Sequence, residues 1–326
     1  MTASYVELHK SGELAQRAEQ AWAILSACTL CPHNCNIDRN TNKRSYCYSG
    51  TTAKVASYVL HKWEEPPITG TRGAGTIFFS NCTLKCTYCQ NFSLSQQSHG
   101  KDVTNERLAE IMLELQKRGA HNLDLVTPTH YMPQILKALD IAAGQGLTIP
   151  LVYNTSGYEN LHIIKMLDGI VDIYLPDAKY ADDAAAWTTS RARDYVKNNR
   201  ETLQEMYRQV GDLVVDDEGV AIRGLIIRHL VMPNNQSQTR EVLEWIAQEI
   251  SPTVSVSVMD QYFPAYKALK DPLLNRKPTW EEYEVALDAI EELGFENGWT
   301  QDHITDDEIM EAEIKANYTA KADLSV

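Results

Sequence analysis

Three cysteines lie close together in the run Cys82-Thr-Leu-Lys-Cys86-Thr-Tyr-Cys89. Thiolates spaced as C-x3-C-x2-C on one short loop can ligate three irons of a [4Fe-4S] cluster and leave the fourth iron open to another ligand. A structural zinc site normally has four closed ligands, and this loop provides three. The polar neighbours Lys85 and Gln90 argue against three buried, inert thiols. The loop therefore predicts an iron–sulfur cluster with one open iron.

A second group of four cysteines lies nearer the N-terminus, at Cys28, Cys31, Cys35 and Cys47. The surrounding stretch is polar, turn-rich and poor in apolar residues, so it needs a staple such as a bound metal in order to fold. Four thiolates suffice for a four-cysteine zinc site or an auxiliary [4Fe-4S] cluster, and the uneven C-x2-C-x3-C start slightly favours the cluster. Zinc, and no metal at all, stay open as alternatives. His33 is expected to be a loop residue rather than a replacement ligand.

From residue 76 onward the sequence shows a regular pattern of strands and helices, which must position these cysteines. Short apolar strands are predicted at 76–80, 122–126, 149–153, 171–175, 222–231 and 253–258, with a plausible helix after each. Two of the helices are predicted at 104–118, with Thr104 as N-cap, and at 280–293. This alternation predicts an α/β fold with a parallel sheet. Six such units are too few for a closed eight-stranded barrel, so we expect a partial (β/α)6 barrel.

The chain divides into three predicted parts. Residues 1–70 form a small N-terminal Cys-rich module that begins with a helix over 5–27, residues 71–299 form the barrel, and residues 300–326 form a charged tail. Residues 61–75 read as a linker because they contain two prolines and three glycines. In this linker Glu64 and Glu65 are expected to be a solvated charge pair, with a substrate loop at the barrel mouth as the alternative.

The composition is that of a globular protein, with 44% apolar and 23% charged residues among 326. No apolar run reaches roughly 18 residues, so no membrane partner is expected. The N-terminus lacks an apolar signal core, which predicts a cytoplasmic protein whose thiols are kept reduced rather than paired in disulfides. With 44 acidic against 30 basic residues, the net charge of −14 repels nucleic-acid phosphates, and nucleic acid is excluded as a partner.

The three-cysteine loop follows the first barrel strand, within the run GTIFFSNCTLKCTYCQN. This arrangement resembles the radical S-adenosylmethionine (SAM) superfamily. The wider run resembles the branch that contains pyruvate formate-lyase activating enzyme and longer relatives with an N-terminal four-cysteine module. The resemblance covers most of the chain and implies a [4Fe-4S] cluster on Cys82, Cys86 and Cys89, whose open iron chelates SAM. It also implies that Tyr88 lies near the adenine.

The implied chemistry is radical chemistry supplied by the cofactors. An electron donor such as flavodoxin or ferredoxin reduces the cluster, SAM is split into methionine and a 5'-deoxyadenosyl radical, and the radical removes a hydrogen atom from the substrate. In the activating-enzyme branch the substrate is a glycine of a partner protein, which then stores a glycyl radical. A small molecule or a peptide is the alternative substrate. A metal-binding scaffold without SAM turnover is a third hypothesis.

Polar side chains follow the ends of successive predicted strands, where a barrel carries its functional groups. The resemblance implies SAM contacts for several of them. Thr127 and Thr129 stand where relatives have a Gly-Gly-Glu stretch that contacts the methionine amino group. Asn154 and Ser156 lie in a turn similar to the T-N-G turn of relatives, which approaches the methionine carboxylate and the ribose. For Ser156 an ordinary turn or capping role is the alternative.

Further candidates follow the fourth strand and lie on the fifth. Asp177 and Lys179 resemble a D-x-K element in which the acid helps to bind a cation or the nucleoside and the lysine meets a carboxylate, and Arg228 has a similar counterpart. A solvated ion pair is the alternative for Asp177 and Lys179. His130 is the candidate for direct chemistry, as a proton donor or a substrate contact, with a core histidine as the alternative.

Overall fold

A computed structural model describes residues 2–41 and 43–301 of the chain. The predicted single helix over 5–27 is instead two helices, α1 (Tyr5–Ser11) and α2 (Glu13–Ala23), followed by a 3-10 turn at Ile24–Ala27. Gly12 separates the two helices because its backbone is left-handed, with φ of 80°. A glycine adopts this conformation without the steric cost that a side chain would bring, and it ends a helix where it does so.

Within residues 2–41 and 43–301, ten strands form the sheet. They are β1 (Ala53–His61), β2 (Ala74–Phe79), β3 (Lys101–Val103), β4 (Leu123–Val126), β5 (Leu151–Thr155), β6 (Ile173–Pro176), β7 (Val214–Val215), β8 (Ala221–Leu230), β9 (Ser255–Met259) and β10 (Gly298–Thr300). The six predicted strands correspond to β2, β4, β5, β6, β8 and β9, each displaced by no more than one or two residues. The prediction of the strands is therefore confirmed.

The sheet is open, with the strand order β10-β9-β8-β6-β5-β4-β2-β1-β3 and β7 paired to β8. The strands from β2 to β10 in this order run parallel, whereas β1 is antiparallel to both β2 and β3. The partial barrel is thus confirmed, with β10 as a further parallel strand that was not predicted. Strand β1 pairs with β2 across the proposed boundary at residue 70, and that boundary stays a prediction.

The remaining helices follow the strands in alternation. They are α3 (Pro66–Thr69), α4 (Phe92–Ser95), α5 (Asn105–Lys117), α6 (Met132–Gly144), α7 (Leu161–Met166), α8 (Asp183–Ser190), α9 (Tyr195–Val210), α10 (Thr239–Glu249) and α11 (Trp280–Glu292). The Thr104 hydroxyl caps α5 by accepting from the Arg107 amide, as predicted. A capping box between Thr279 and Glu282 begins α11. No helix in the described ranges is long and apolar enough to cross a bilayer.

The predicted linker is a structural part of the barrel. It contains the end of β1, the short helix α3 and the start of β2. The carbonyl of Ile68 in α3 accepts from the side chain of Asn122, which directly precedes β4, so α3 lies beneath the amino end of the sheet. Ile68 packs there with Val152, Ile173 and Ile226 inside the barrel. The prediction of a linker was wrong because Pro66, which reads as a breaker, stands in the first turn of a helix. The predicted tail lies outside the described residues beyond Gln301.

Candidate active site at the carboxyl edge of the sheet

The three-cysteine loop leaves the carboxyl end of β2 and is held by the end of α8. The amides of Lys85 and Thr87 donate to the carbonyls of Ser190 and Thr189, at 2.9 and 2.7 Å. Backbone pairing of this kind fixes a loop that has no regular structure of its own. The loop is therefore placed by a helix about a hundred residues away in sequence, which local patterns do not predict.

Each of the three sulfurs has a polar partner. The Leu84 amide donates to Cys82 Sγ at 3.3 Å, the Ser190 hydroxyl donates to Cys86 Sγ at 3.0 Å, and Cys89 Sγ lies 3.1 Å from Ser95 Oγ. Such contacts suit thiolate sulfurs, which accept hydrogen bonds. Hydrogen bonds to the sulfurs also tune the potential of a bound cluster.

The thiols of this loop are costly to ionise without a metal. Burial raises the pKa of Cys82 to about 12, and the nearby Cys86 raises it further. Burial raises the pKa of Cys86 to about 11, against the effect of the Lys179 ammonium. A metal supplies the positive charge that such thiolates need. The donor set of Cys82, Cys86 and Cys89 therefore fits a cluster ligated by three cysteines.

A buried ionic network lies at the carboxyl ends of β5, β6 and β8. Lys179 Nζ lies 2.6 Å from Asp177 Oδ2, Arg228 Nε lies 3.0 Å from Asp177 Oδ1, and an Arg228 Nη donates to Asn154 Oδ1 at 2.6 Å. Burial opposes ionisation of Asp177, but Lys179 and Arg228 outweigh it and hold its pKa below the usual value. The side chains of Asp177 and Lys179 are only 13% and 15% exposed. The alternative of a solvated ion pair was therefore wrong.

Two carboxylates that were not predicted as site residues join this network. Glu64 Oε2 lies 3.5 Å from Arg228 Nη1, with the Glu64 side chain only 11% exposed. Asp124 of β4 is fully buried and accepts from the Thr76 hydroxyl at 3.0 Å. Burial raises the pKa of both carboxyls, although Arg228 opposes the shift. The expectation of a solvated pair at Glu64 and Glu65 was wrong because α3 folds this segment under the sheet.

A cleft of about 250 Å³ connects the network to solvent. Its lining includes Glu64, Glu65 and Arg228, together with Met259 and Trp299. A concave site with a few charged groups suits a small ligand or the end of a larger one. In the sequence this cleft corresponds to Glu64 and Glu65 followed by two prolines, and that pattern was interpreted as a linker.

Other predicted residues lie apart from the network. The Thr129 hydroxyl is buried and donates to Glu159 at 2.5 Å. His130 is buried, and its Nε2 donates to the Ser80 carbonyl at 2.9 Å. Burial lowers the pKa of His130 to about 3, so the ring is neutral at physiological pH. Ser156 Oγ is buried without a partner among the described residues. The functional roles of these three residues stay predictions.

Thr127 and Tyr88 lie close to the strand ends but in different settings. Thr127 has a φ of 60°, which is rare for a β-branched residue and marks local strain directly after β4. Tyr88 is buried, and its hydroxyl lies 2.6 Å from that of Tyr180. The Tyr180 hydroxyl in turn lies 2.6 Å from Ser190 Oγ, which links the tyrosine pair to Cys86. The implied contacts of Thr127 and Tyr88 with SAM stay predictions.

The four N-terminal cysteines gather in one segment. Burial raises the pKa of Cys31, and the nearby Cys47 and Cys28 raise it further, while Cys35 has the same kind of effect on Cys28. None of the seven cysteines forms a disulfide in this structure. Within the described ranges no three His, Cys, Asp or Glu side chains converge on the position of a single metal ion. The metal of this segment stays a prediction.

This Cys-rich segment, residues 28–50, covers part of the barrel mouth. His33 Nε2 donates to the Thr83 carbonyl of the three-cysteine loop at 2.7 Å. Arg39 donates to the carbonyl of His130, which follows β4, at 2.8 Å. The Asn160 side chain after β5 donates to the Thr29 carbonyl at 2.7 Å. The segment therefore lies over the carboxyl ends of β2, β4 and β5.

An open α/β barrel with a three-cysteine loop after its first parallel strand is the architecture of radical SAM proteins. The sequence profile of the radical SAM superfamily matches residues 76–246, more than half of the chain. The chain belongs to this superfamily, whose members use a [4Fe-4S] cluster and SAM.

Similar proteins include an uncharacterized protein of Methanocaldococcus jannaschii. It is 30% identical over 300 residues, which span 89% of this chain and 82% of that protein. Among solved structures, methylornithine synthase is similar at 14% identity and a TM-score of 0.44, over 66% of this chain and 61% of its own. The FeFe-hydrogenase maturase HydG from Carboxydothermus hydrogenoformans is similar at 13% identity and a TM-score of 0.41, over 73% and 64%. This chain thus spans less than two thirds of either solved chain.

Proposed function

We propose that this radical SAM enzyme binds its cluster through Cys82, Cys86 and Cys89, cleaves SAM reductively there and uses the resulting radical to remove a hydrogen atom from a substrate. The observation that carries the proposal is the placement of three polar-partnered thiols after the carboxyl end of β2, at the same edge of the sheet as the buried Asp177–Arg228 network. When bound, the cluster and SAM together supply a one-electron cleavage that yields methionine and a 5'-deoxyadenosyl radical.

The side chains of the network bind and orient SAM in this proposal. Asp177 holds the cationic groups of Lys179 and Arg228 in fixed positions, so they need little reorganisation to meet the methionine carboxylate. Lys179 also lies within electrostatic reach of Cys86, which puts its ammonium on the cluster side of the network. The side chain of Asn154 accepts a hydrogen bond from Arg228 and belongs to the same group of polar side chains at the strand ends.

The Cys-rich segment excludes water from the site. It lies over the ends of three neighbouring strands, and a covered mouth protects a reactive radical from side reactions. The same cover narrows the approach to the site. The cleft of about 250 Å³ beside Glu64 supports a small molecule or a peptide as substrate. The resemblance of the cysteine loop supports the other candidate, a glycyl radical installed on a partner protein.

The test is the production of 5'-deoxyadenosine by the anaerobically reconstituted and reduced protein. Cell extract split into high-mass and low-mass fractions then separates the two substrate classes. Stimulation by the low-mass fraction is expected if the substrate is a small molecule, and stimulation by the high-mass fraction if it is a protein. If no 5'-deoxyadenosine formed under any condition, the radical assignment would fail and the scaffold hypothesis would return.

A further inference from the structure

A group of cationic side chains lies beside the three-cysteine loop, although the chain as a whole carries a net charge of −14. The guanidinium groups of Arg191 and Arg193 lie 5.5 and 5.1 Å from the ring centre of Trp187. Lys85 Nζ lies 5.5 Å from the ring centre of Tyr46 and 5.6 Å from that of Tyr48. We call the set Lys85, Arg191, Arg193, Tyr46, Tyr48 and Trp187 the cationic patch.

The two halves of the patch form one surface. The Tyr46 hydroxyl donates to the Arg191 carbonyl at 3.4 Å, which joins the N-terminal half to the end of α8. The ring of His33 lies 3.8 Å from that of Tyr46 between centres, with the two planes tilted by 31°. The Nε2 of His33 also donates to the carbonyl of Thr83, two residues before Lys85, at 2.7 Å.

The charges of the patch are available to a partner. In the described part of the chain none of Lys85, Arg191 and Arg193 forms an ion pair with a carboxylate. Tyr48 is 66% exposed and Trp187 is 40% exposed. Arginine, tyrosine and tryptophan are the residues that contribute most to protein interfaces, and unpaired surface cations steer an anionic partner toward the surface.

The patch also lies close to the place where electrons must enter. Lys85 stands between Cys82 and Cys86 in the loop, and Arg191 directly follows Ser190, which donates to Cys86 Sγ. A protein seated on the patch would therefore contact residues that directly adjoin a proposed cluster ligand and its hydrogen-bond partner. Electron transfer between proteins requires such proximity because its rate falls steeply with distance.

We propose that the cationic patch is the docking surface for a small acidic electron-transfer protein. The inference rests on the proposed function, since it assumes a cluster on Cys82, Cys86 and Cys89. In the step itself the donor is oxidised by one electron and the cluster is reduced by one electron, and no bond forms or breaks. Charge complementarity selects the partner, because an acidic donor is repelled by most of this acidic chain and attracted here.

The test compares two double variants that each remove two exposed cations. Arg191→Gln with Arg193→Gln alters the patch, and neither residue is among the predicted cluster ligands or SAM contacts. Lys117→Gln with Arg118→Gln, after α5 at the opposite end of the barrel, is the matched control. The readout is the rate of cluster reduction by an acidic flavodoxin, with an acidic ferredoxin as second donor and dithionite as a donor that needs no docking.

We expect the patch variant to lose about tenfold in the rate of reduction by either protein donor and to keep the dithionite rate, while the control variant keeps both. The protein-donor rate of the wild type should also fall with rising ionic strength. Equal protein-donor rates for the wild type and the patch variant would overturn the proposal. It would also fail if neither acidic donor reduced the wild type, or if the patch variant changed only self-association or binding of RNA.

A failure of the proposed function can be distinguished from a failure of the docking proposal. If dithionite reduces the wild type without any cleavage of SAM, the function fails and the docking proposal is still judged by the reduction rates. If no cluster forms, calorimetric binding of the oxidised flavodoxin to the wild type and the two variants decides the docking surface alone. Equal iron content and thermal unfolding of both variants exclude misfolding as the cause of a lost rate.

Discussion

Ser190 donates a hydrogen bond to the sulfur of Cys86 at 3.0 Å, although the two residues are 104 positions apart in the chain. Ser190 is the last residue of α8, and its carbonyl also accepts from the amide of Lys85 in the cluster loop. One residue thus fixes both the backbone of the loop and the electrostatic environment of one ligand sulfur. The end of α8 is therefore part of the proposed cluster site.

Removal of this hydroxyl should make the cluster harder to reduce. Ser190→Ala takes a hydrogen-bond donor from the Cys86 sulfur, so we expect a more negative reduction potential with unchanged iron content. The measurement is a redox titration followed by electron paramagnetic resonance. Thr188→Ala removes a hydroxyl from the same helix that bonds only to the Ala184 carbonyl, and this control should keep the wild-type potential. Equal potentials in all three proteins would contradict the role of Ser190.

The two cysteine groups should respond differently to substitution. Cys82→Ala, Cys86→Ala and Cys89→Ala should each abolish SAM cleavage, because each removes a cluster ligand. Cys28→Ala and Cys47→Ala should instead lower folded yield or metal content, since the Cys-rich segment is poor in apolar residues. Iron and zinc analysis of the purified variants checks this and distinguishes a second cluster from zinc. Retained SAM cleavage in the first three variants would refute the cluster assignment.

Arg228 should be the most costly residue of the network to remove. Its guanidinium is bound to Asp177 and Asn154 and lies beside Glu64. Arg228→Met leaves Asp177 with Lys179 as its remaining cation and takes the guanidinium away from the buried Glu64. We expect a loss of about 3–5 kcal/mol in the free energy of unfolding. Adding Glu64→Gln to the variant should recover part of the loss, because it removes the buried carboxylate that has lost its guanidinium. Anaerobic urea unfolding measures both, and additive losses would argue against a coupled pair.

Glu159 should make the stability depend on pH. Burial raises its pKa from 4.5 to about 7, with Thr129 and Thr155 opposing the shift. The folded state therefore favours the protonated carboxyl, and this contribution is complete below the unfolded pKa and is lost as the pH rises through about 7. A shift of this size corresponds to about 3 kcal/mol.

Glu159→Gln should remove that dependence because the amide stays neutral. The difference in stability between the variant and the wild type should therefore shift in favour of the variant as the pH rises from about 6 to 8. Thermal unfolding at both pH values measures the difference. Glu201→Gln, at an exposed position of α9, is the control and should follow the wild type. A Glu159→Gln variant that lost stability in parallel with the wild type would contradict a protonated Glu159.

Gly157 should tolerate no side chain. Its φ is 70°, and a Cβ there would overlap the Asp177 carbonyl oxygen and the Asn199 side-chain nitrogen. Gly146 also has positive φ, at 95°, but open space around it, so Gly146→Ala should cost only about 1–2 kcal/mol of backbone strain. Gly157→Ala should cost more and weaken SAM binding, because Asp177 must move. Unfolding midpoints and SAM titration compare the two, and equal costs would exclude the steric effect.

Strand β1 shows why part of the fold was missed. The chain from Ala53 to His61 has alternating burial only at its start, and the register with β2 shifts between Val55 and Ser57. A bulge of this kind breaks the period of two on which strand prediction depends. Strand β10 has only three residues, too few to show any period. The barrel strands were predicted because each is a short segment rich in apolar residues with a helix after it.

The sequence by itself determined the alternation of strands and helices and the open barrel, and it carries the prediction of the cluster ligands, because hydrophobic period and ligand spacing are properties of neighbouring residues. Only the tertiary structure decided which distant residues meet. It brought Glu64 from beneath the sheet to Arg228, Ser190 to the Cys86 sulfur, and Lys85 to the same surface as Arg191. These contacts depend on how the open sheet curves around the core, and no local pattern in the chain determines that curvature.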